Sequence, residues 1–462
     1  MPLTIIMTAR TSGSAGTTAL KRLGLTTLLA AQLSACGGGS STPPPLTVTP
    51  PAEQQSSAQQ FVSQHAFALQ SLSQDQDFSE LKPIADAIGR ARIVQLGESS
   101  HGSGSMNNLK TRLIKYLHQQ HGFNVLAFES SVFACNQGFE RDQNRTAVSL
   151  MQSCIFGVWH TEELLQLFRY IQSTQQSQNP LRLSGFDVQF SGEESPQLIE
   201  QFFRQALQRL GSNEQTQILA VAQQVFRLQV AGYRCSTGVQ AECERIRNEH
   251  PAITAALQQV KPLLQGMTQP QEQLAAILLD SYGYAVAMQA DRNDRPGQVF
   301  RQRDAGMAAN ATALLRHWGP ADKMLIWAHN AHIAEDFPSQ RLRDSNESTM
   351  GMHLHQQWGD QLYSIGLFML SGQQADNNRS ISDVTPHRAG ALEANFMHLQ
   401  HPASFMPLPK TNQPGDGDDW LHQPVIYKDW GRIEQSARLP ATFDAVLMIK
   451  NNQPPQYLPA AN

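Results

Sequence analysis

Apolar and polar positions change period several times along the chain, and the changes mark out elements. Residues 93–96, IVQL, are an apolar run of strand length that ends in a loop, GESSHGSGS, holding Glu98 and His101. In NNLKTRLIKYLHQQHGF, Leu109, Leu113 and Leu117 recur at the spacing of one helix face, and the pattern stops at Gly122. NVLAFES then returns to a continuous apolar run and ends in Glu129. Strand, loop, helix and strand in this order predict a βαβ unit, whose strands run parallel with a right-handed crossover. The pattern recurs: LRLSGFDVQ predicts a strand over 181–184 followed by Asp187, and KMLIWAHNAHIAED one over 324–328 followed by His329 and His332. QLYSIGLFML and FDAVLMIK predict late strands, while 61–73 and FSELKPIADAIG predict helices ahead of the first strand. Residues 194–300 show long helical patterns with few strand signals. The expected fold is α/β: a largely parallel central sheet flanked by helices, in one domain over 61–462 with a helical insertion at 194–300.

The amino end follows another pattern. Lys21 and Arg22 precede LGLTTLLAAQL, an apolar run too short to span a bilayer as a stable helix. It ends in LSAC, which resembles the bacterial lipoprotein signal, and GGGSSTPPPLTVTPP follows as a flexible tether. Residues 1–35 therefore read as a lipoprotein signal peptide and 36–60 as the tether. Export and membrane attachment through a lipidated Cys36 are expected, at the outer membrane in a cell that has two. The remaining cysteines, Cys135, Cys154, Cys235 and Cys243, are an even set in an exported chain, and pairing them locally gives Cys135–Cys154 and Cys235–Cys243. The formal net charge is −4, with acids and bases interspersed, which argues against a nucleic-acid partner.

The strand ends carry the candidate chemistry. Parallel strands lie about 4.8 Å apart, so Glu98, His101, Glu129, Asp187, His329 and His332 can share one cleft at their carboxyl ends. A carboxylate beside a histidine fixes its tautomer and stabilises the imidazolium after proton transfer. No G-x-S-x-G elbow supplies a serine nucleophile, and Ser99 and Ser100 adjoin His101 in the chain, where neighbouring side chains rarely face each other. The glycines of GSGS predict a tight turn giving a substrate close access to backbone. By residue type the histidines and glutamates also suit a metal, so water attack with or without a metal is what these residues support.

Five ordered motifs, LGESSHG, GFNVLAFES, GFDVQ, RDAGMAANA and WAHNAHIA, resemble those of the erythromycin esterase family, with a likeness running from about residue 78 to FDAVLMI near 449. The resemblance implies a macrolactone hydrolase with an α/β domain and a helical portion, in which a histidine activates water and no covalent intermediate, metal or cofactor takes part. It implies His101 as the base, Glu98 as its close carboxylate, and Glu129, His329 and His332 within the site. Arg303 and Asp304 match the RD of a family helix and read as a structural ion pair near the cleft. Two positions depart from the family pattern: Ser105 stands where a glutamate is usual and Lys110 where an arginine is usual. With Asp187 and His332, these two are expected to line the substrate. One carboxylate fewer predicts weaker action on a macrolide's cationic amino sugar than on a neutral ester or lactone. The competing functions are a metal-dependent hydrolase of a peptide or other amide, and a lipoprotein that binds a ligand without turnover.

Overall fold

The computed structural model describes residues 55–73, 76–141, 145–294, 300–337, 347–411 and 417–459; the leader and Cys36 lie outside them. The first strands are β1 (Phe67–Leu69), β2 (Ile93–Leu96), β3 (Val125–Ser131), β4 (Arg182–Asp187), β5 (Met324–Trp327) and β6 (Leu362–Met369). Later come β7 (Gln373–Ala375), β8 (Ile381–Asp383), β9 (Ala403–Pro407), β10 (Val425–Asp429), β11 (Ile433–Ala437) and β12 (Ala445–Ile449). Eight of them form one sheet in the order β1-β9-β12-β6-β2-β5-β3-β4, and β7 with β8 and β10 with β11 make two small ribbons. From β12 to β4 every pairing is parallel, while β9 is antiparallel to both its neighbours.

The continuous apolar strands are buried on both faces, as a parallel sheet requires. Successive residues feed opposite layers: Val125, Ala127, Met324 and Ile326 join one core, and Leu126, Phe128, Leu325 and Trp327 the other. Helices α1 (Ser57–His65) and α2 (Lys82–Ile88) precede the first parallel strand. α1 starts inside the stretch expected to be tether, because Ser56 caps it in a capping box with Gln59. It ends at His65, short of the expected residue 73, and the chain turns into β1 to cover the edge of β9.

α3 (Gly104–His121) carries Leu109, Leu113 and Leu117 onto the second core and ends at Gly122, whose φ of +72° is the left-handed cap. α4 (Val132–Arg141) and α5 (Ala147–Cys154) are joined by Cys135–Cys154, and α6 (Glu162–Thr174) lies beside α3. The first core is covered by α7 (Pro196–Ala206), α8 (Ser212–Ser236), α9 (Gln240–Val260), α10 (Pro270–Asp294) and α11 (Phe300–Trp318). Cys235–Cys243 ties the end of α8 to the start of α9, so both local disulfides form.

β2 leads through α3 on one face towards the β4 edge. β5 leads through Met350–Trp358 on the other face, back past β2 to β6. The connections therefore part at the carboxyl ends of β2 and β5, the place where open α/β sheets bind ligands. The register puts Leu96, Trp327 and Phe128 side by side, so Glu98, His329 and Glu129 emerge at one level.

Candidate active site

Gly97 follows β2, and a Cβ there would lie 2.1 Å from Asn330 Oδ1. Its absence lets the short helix α12 (Asn330–Ile333) cross directly beside β2. Asn330 N donates to Glu98 O (2.9 Å), and its side chain clamps Leu367 O and N (2.8 and 3.1 Å). Glu98, fixed in this way, is fully buried among donors. Oε1 faces His101 Nδ1 (2.7 Å) and accepts from Trp159 Nε1 (2.9 Å), while Oε2 accepts from Lys110 Nζ (2.7 Å). Burial raises this carboxyl's pKa, but Lys110 and His101 more than offset it, and the group stays below its ordinary value. An ionised Glu98 takes the Nδ1–H of His101, which leaves Nε2 as the basic nitrogen. Nε2 has no hydrogen-bond partner among the described residues, and the side chain is 13% exposed. Lys110 is buried 3.7 Å from the centroid of the Trp327 ring, and burial pushes its ammonium down to about 8 against the pull of Glu98.

A second network fixes the other wall. Arg303 on α11 forks Asp187 through Nε (3.2 Å) and Nη2 (2.6 Å), and Nη2 also donates to Glu129 Oε1 (2.7 Å). Its Nη1 lies 3.1 Å from His332 Nε2, which faces Glu129 Oε1 at 3.3 Å. Asp304 meets His332 Nδ1 at 2.9 Å and accepts from Met350 N at 2.9 Å. Burial disfavours a charge on His332, but Asp304 and Glu129 outweigh it and lift the ring to about 10. Burial raises Glu129, yet His332 and Arg303 hold it well below the carboxylate range. Its Oε2 accepts from His329 N (3.0 Å), so this frame fixes the segment after β5.

His329 caps α12, with Nδ1 accepting from Ala331 N (3.2 Å). Burial first, then the charges of His101 and His332, push the ring down to about 3, so it is neutral. A neutral ring that accepts through Nδ1 carries its proton on Nε2, and Nε2 is buried without a partner among the described residues. The His329 centroid is 5.2 Å from His101 and 5.5 Å from Trp430. Trp159 and Trp430 stand 4.9 and 5.3 Å from His101. Trp430 has a φ of +53°, left-handed for a bulky residue, and its N–H donates to Ser99 O (2.6 Å). That backbone conformation costs about 1–2 kcal/mol.

The structure thus brings His101, Glu98, Glu129 and His329 together at one end of the sheet. The four residues expected to line the substrate are placed differently. Lys110 is spent on Glu98, Asp187 lies under the Arg303 fork, and His332 sits between Asp304 and Glu129. Ser105 is buried, and its Oγ accepts from Gln453 N (2.9 Å) in the C-terminal segment. Ser105 and Lys110 are buried on the first turns of α3, while Asp187 at the end of β4 and His332 on α12 are bound by Arg303 and Asp304 of α11.

The glycine loop is corrected too. Ala375 N donates to Gly102 O (2.9 Å), and a Cβ at Gly102 would lie 2.0 Å from Ala375 O, so the close approach is made by β7 and not by a substrate. Ser103 caps α3, and Ser100 Oγ donates to Gln374 Oε1 (2.7 Å), away from His101. Arg303 and Asp304 do not pair with each other; each serves the frame separately. Trp159 and Trp430 were missed, since both sit in segments without period, far along the chain from His101. Among the described residues no three His, Cys, Asp or Glu side chains are grouped as a metal site.

The erythromycin esterase family model matches residues 118–452. The Bacillus subtilis protein "Putative hydrolase YbfO" is 27% identical over 415 residues, covering 85% of this chain and 91% of its own. Erythromycin esterase type II of Escherichia coli is 24% identical over 340 residues, covering 65% and 74%. In fold, the erythromycin esterase EreC, solved as a histidine-to-asparagine mutant in its open conformation, is similar with a TM-score of 0.61 at 18% identity, over 84% of this chain and 98% of that one. The family match spans well over half of the chain, and the sheet is the one its motifs implied; the chain belongs to the erythromycin esterase family, a membership that supports a hydrolase.

Proposed function

We propose that this protein hydrolyses an ester or lactone of a small molecule, a macrolactone included, with water activated by His101 and without a covalent intermediate. One observation carries the reading: His101 Nδ1 rests on a fully buried Glu98 at 2.7 Å while Nε2 is free. Nε2 takes a proton from water as the oxygen attacks the carbonyl carbon. The carbonyl oxygen gains the negative charge, and the unpartnered Nε2–H of neutral His329 is a donor for it. Collapse breaks the bond to the alcohol oxygen, which recovers the proton from His101, so acid and alcohol leave and one water is consumed. A placed base contributes about 10²- to 10⁴-fold, and an oxyanion donor about 10²- to 10³-fold. Ser100 is tied to Gln374, which speaks against it as a nucleophile.

The proposal extends to location: an exported enzyme of the cell envelope, anchored through Cys36. LSAC before a Gly/Ser/Pro tether supports this, as do two disulfides, which suit an oxidising compartment. No helix among the described residues is long and apolar enough to cross a membrane.

Incubation with a panel of esters and lactones, followed by intact-mass analysis, tests the reaction. We expect addition of one water to at least one compound, and none with His101→Ala. A panel left intact by the wild-type protein, or turnover surviving in His101→Ala, refutes the proposal.

A further inference from the structure

We infer that His387 and Glu393, buried behind the site, share one proton that pins Trp430 against His101, so that losing this proton loosens the wall of the site. In its effect on rate the inference rests on the hydrolase reading above; in the placement of Trp430 it does not.

The geometry asks for the proton. The side chains of His387 and Glu393 are 2% and 1% exposed. His387 Nε2 donates to Leu370 O (2.7 Å), since a carbonyl oxygen only accepts. Nδ1 lies 3.8 Å from Glu393 Oε2, and both atoms are buried without a hydrogen-bond partner among the described residues. An ionised Glu393 beside a neutral ring sets a negative oxygen against a lone pair, which burial makes costly. One proton removes the conflict from either side, as an acid donating to Nδ1 or as an imidazolium donating to the carboxylate. Burial and the charge of Lys428 hold the ring below its ordinary pKa, while burial pushes Glu393 up to about 7, so the acid carries the proton. Lys428 does not replace it, because its three ammonium donors go to Thr385 O (2.8 Å), Thr385 Oγ1 (2.8 Å) and Pro386 O. Arg388 pairs with Glu434 (2.9 Å), and on β10 Tyr427 and Asp429 add no positive charge. On the α1 side, His65 turns to Phe61 O (2.9 Å) and His398 to Ser63 Oγ (2.6 Å).

The pair sits under the segment that carries Trp430. Glu393, on the short helix Leu392–Phe396, accepts through Oε1 from Lys428 N (2.7 Å), two residues before Trp430. Lys428 ties down Thr385 and Pro386, just before His387, and Thr385 N donates to Gly431 O (2.9 Å), just after Trp430. His387 fixes these segments to Leu370, the residue after β6. Trp430 completes the connection: its N–H donates to Ser99 O (2.6 Å), and its ring centroid is 5.3 Å from His101 and 5.5 Å from His329. A bulky residue at a φ of +53° stays there only where its surroundings impose it. The pair is a titratable part of those surroundings, and Asp429, which burial also pushes up to about 7, is a second.

Trp430 is followed by fluorine NMR of the fluorotryptophan-labelled protein, its resonance assigned by its loss in Trp430→Phe. The background is His101→Ala, so that the neighbouring imidazole does not titrate. His329 and His332, near 3 and 10, lie outside the range scanned, about pH 5 to about pH 9. We expect the resonance to shift as pH rises through about 7. Glu393→Gln should remove most of that shift, because its amide donates to Nδ1 and its carbonyl accepts from Lys428 N at every pH. Asp429→Asn should leave most of it. His387→Gln keeps a donor for Leu370 O but takes away Nδ1, so the acid loses its acceptor and the midpoint should fall. With His101 restored, the ratio of wild-type to Glu393→Gln kcat/KM on the best ester should drop about tenfold or more from the acid to the alkaline end. Lys110 and His101 titrate alike in both proteins and cancel in that ratio. A resonance that stays fixed, or that shifts alike in Glu393→Gln and His387→Gln and the parent, overturns the inference, as does a constant ratio while esters are cleaved. A shift removed by Glu393→Gln, with no ester cleaved by the wild-type protein, sustains the pinned Trp430 and removes the hydrolase reading.

Discussion

Glu98→Gln is the substitution that most directly examines the proposed chemistry. The carboxylate makes three contacts, all to donors: His101 at 2.7 Å, Trp159 at 2.9 Å and Lys110 at 2.7 Å. Glutamine is isosteric, and its carbonyl oxygen serves His101 and Trp159 at the Oε1 position. Its NH₂ then points at the Lys110 ammonium, donor against donor. Lys110 is fully buried, so it becomes a cation without a counter-charge, and removing one member of a buried pair costs about 3–5 kcal/mol. Because burial already holds Lys110 near 8, the cheapest relief is loss of its proton, and we expect the lower end of that range, about 3 kcal/mol. The rate falls for a separate reason. Without the anion the imidazolium that His101 becomes loses its contact counter-charge and keeps only the more distant Glu129, and a loss of about 10²- to 10⁴-fold in kcat follows. Stability is read by denaturant unfolding and rate by steady-state hydrolysis of the best ester found. The two effects separate in Glu98→Gln/Lys110→Met, which removes the stranded cation and should regain most of the stability and none of the rate. A single variant within tenfold of wild-type kcat, or a double variant that regains activity, refutes the assignment of Glu98.

Trp159→Phe keeps a ring beside His101 but removes the donor to Glu98; a hydrogen bond to a charged group contributes about 1.5–3 kcal/mol, so kcat should fall about tenfold or more with little change in KM. His332 has its pKa raised from 6.5 to about 10, so its contribution to stability is complete below pH 6.5 and is lost as pH rises through about 10; urea melts across that window should decline less steeply for His332→Asn than for wild type. Replacing Cys135 and Cys154 together by serine should cost about 2–4 kcal/mol and slow the enzyme, since α4 follows directly from the strand carrying Glu129, whereas the Cys235/Cys243 pair should cost stability alone; thermal melts alongside kcat distinguish the two.

The parts of the site legible in the sequence are those the backbone alone positions. IVQL, NVLAF and MLIW are strand-length apolar runs that stop abruptly, so the polar groups just beyond them, Glu98, Glu129 and His329, had to gather at one sheet end. The antiparallel strand β9 had no such signal, because ASFMP is short and mixed, and its place is set by pairing with β1 and β12. Trp159 and Trp430 arrive from a turn and from a left-handed loop residue. Neither site has a period that points inward, and only the finished packing brings them to His101. Arg303 was visible as half of an RD pair, but sequence adjacency suggested one ion pair, where successive helix positions point to different partners.

Ser105 and Lys110 show how a departure from a family pattern changes meaning once its surroundings are known. Read as sequence, a serine in place of a glutamate removes a charge from the cleft, and that loss argued for poor recognition of a cationic sugar. Residue 105 faces Gln453, so the missing carboxylate is missing from the junction with the C-terminal segment and not from the space beside His101. Its absence therefore carries no argument about the substrate. Lysine at 110 does bear on the site, as a point charge on Oε2 that leaves Oε1 to His101 and Trp159. The residue that the motif comparison singled out therefore says nothing of the substrate's charge, whereas its neighbour Lys110 acts on His101 through Glu98.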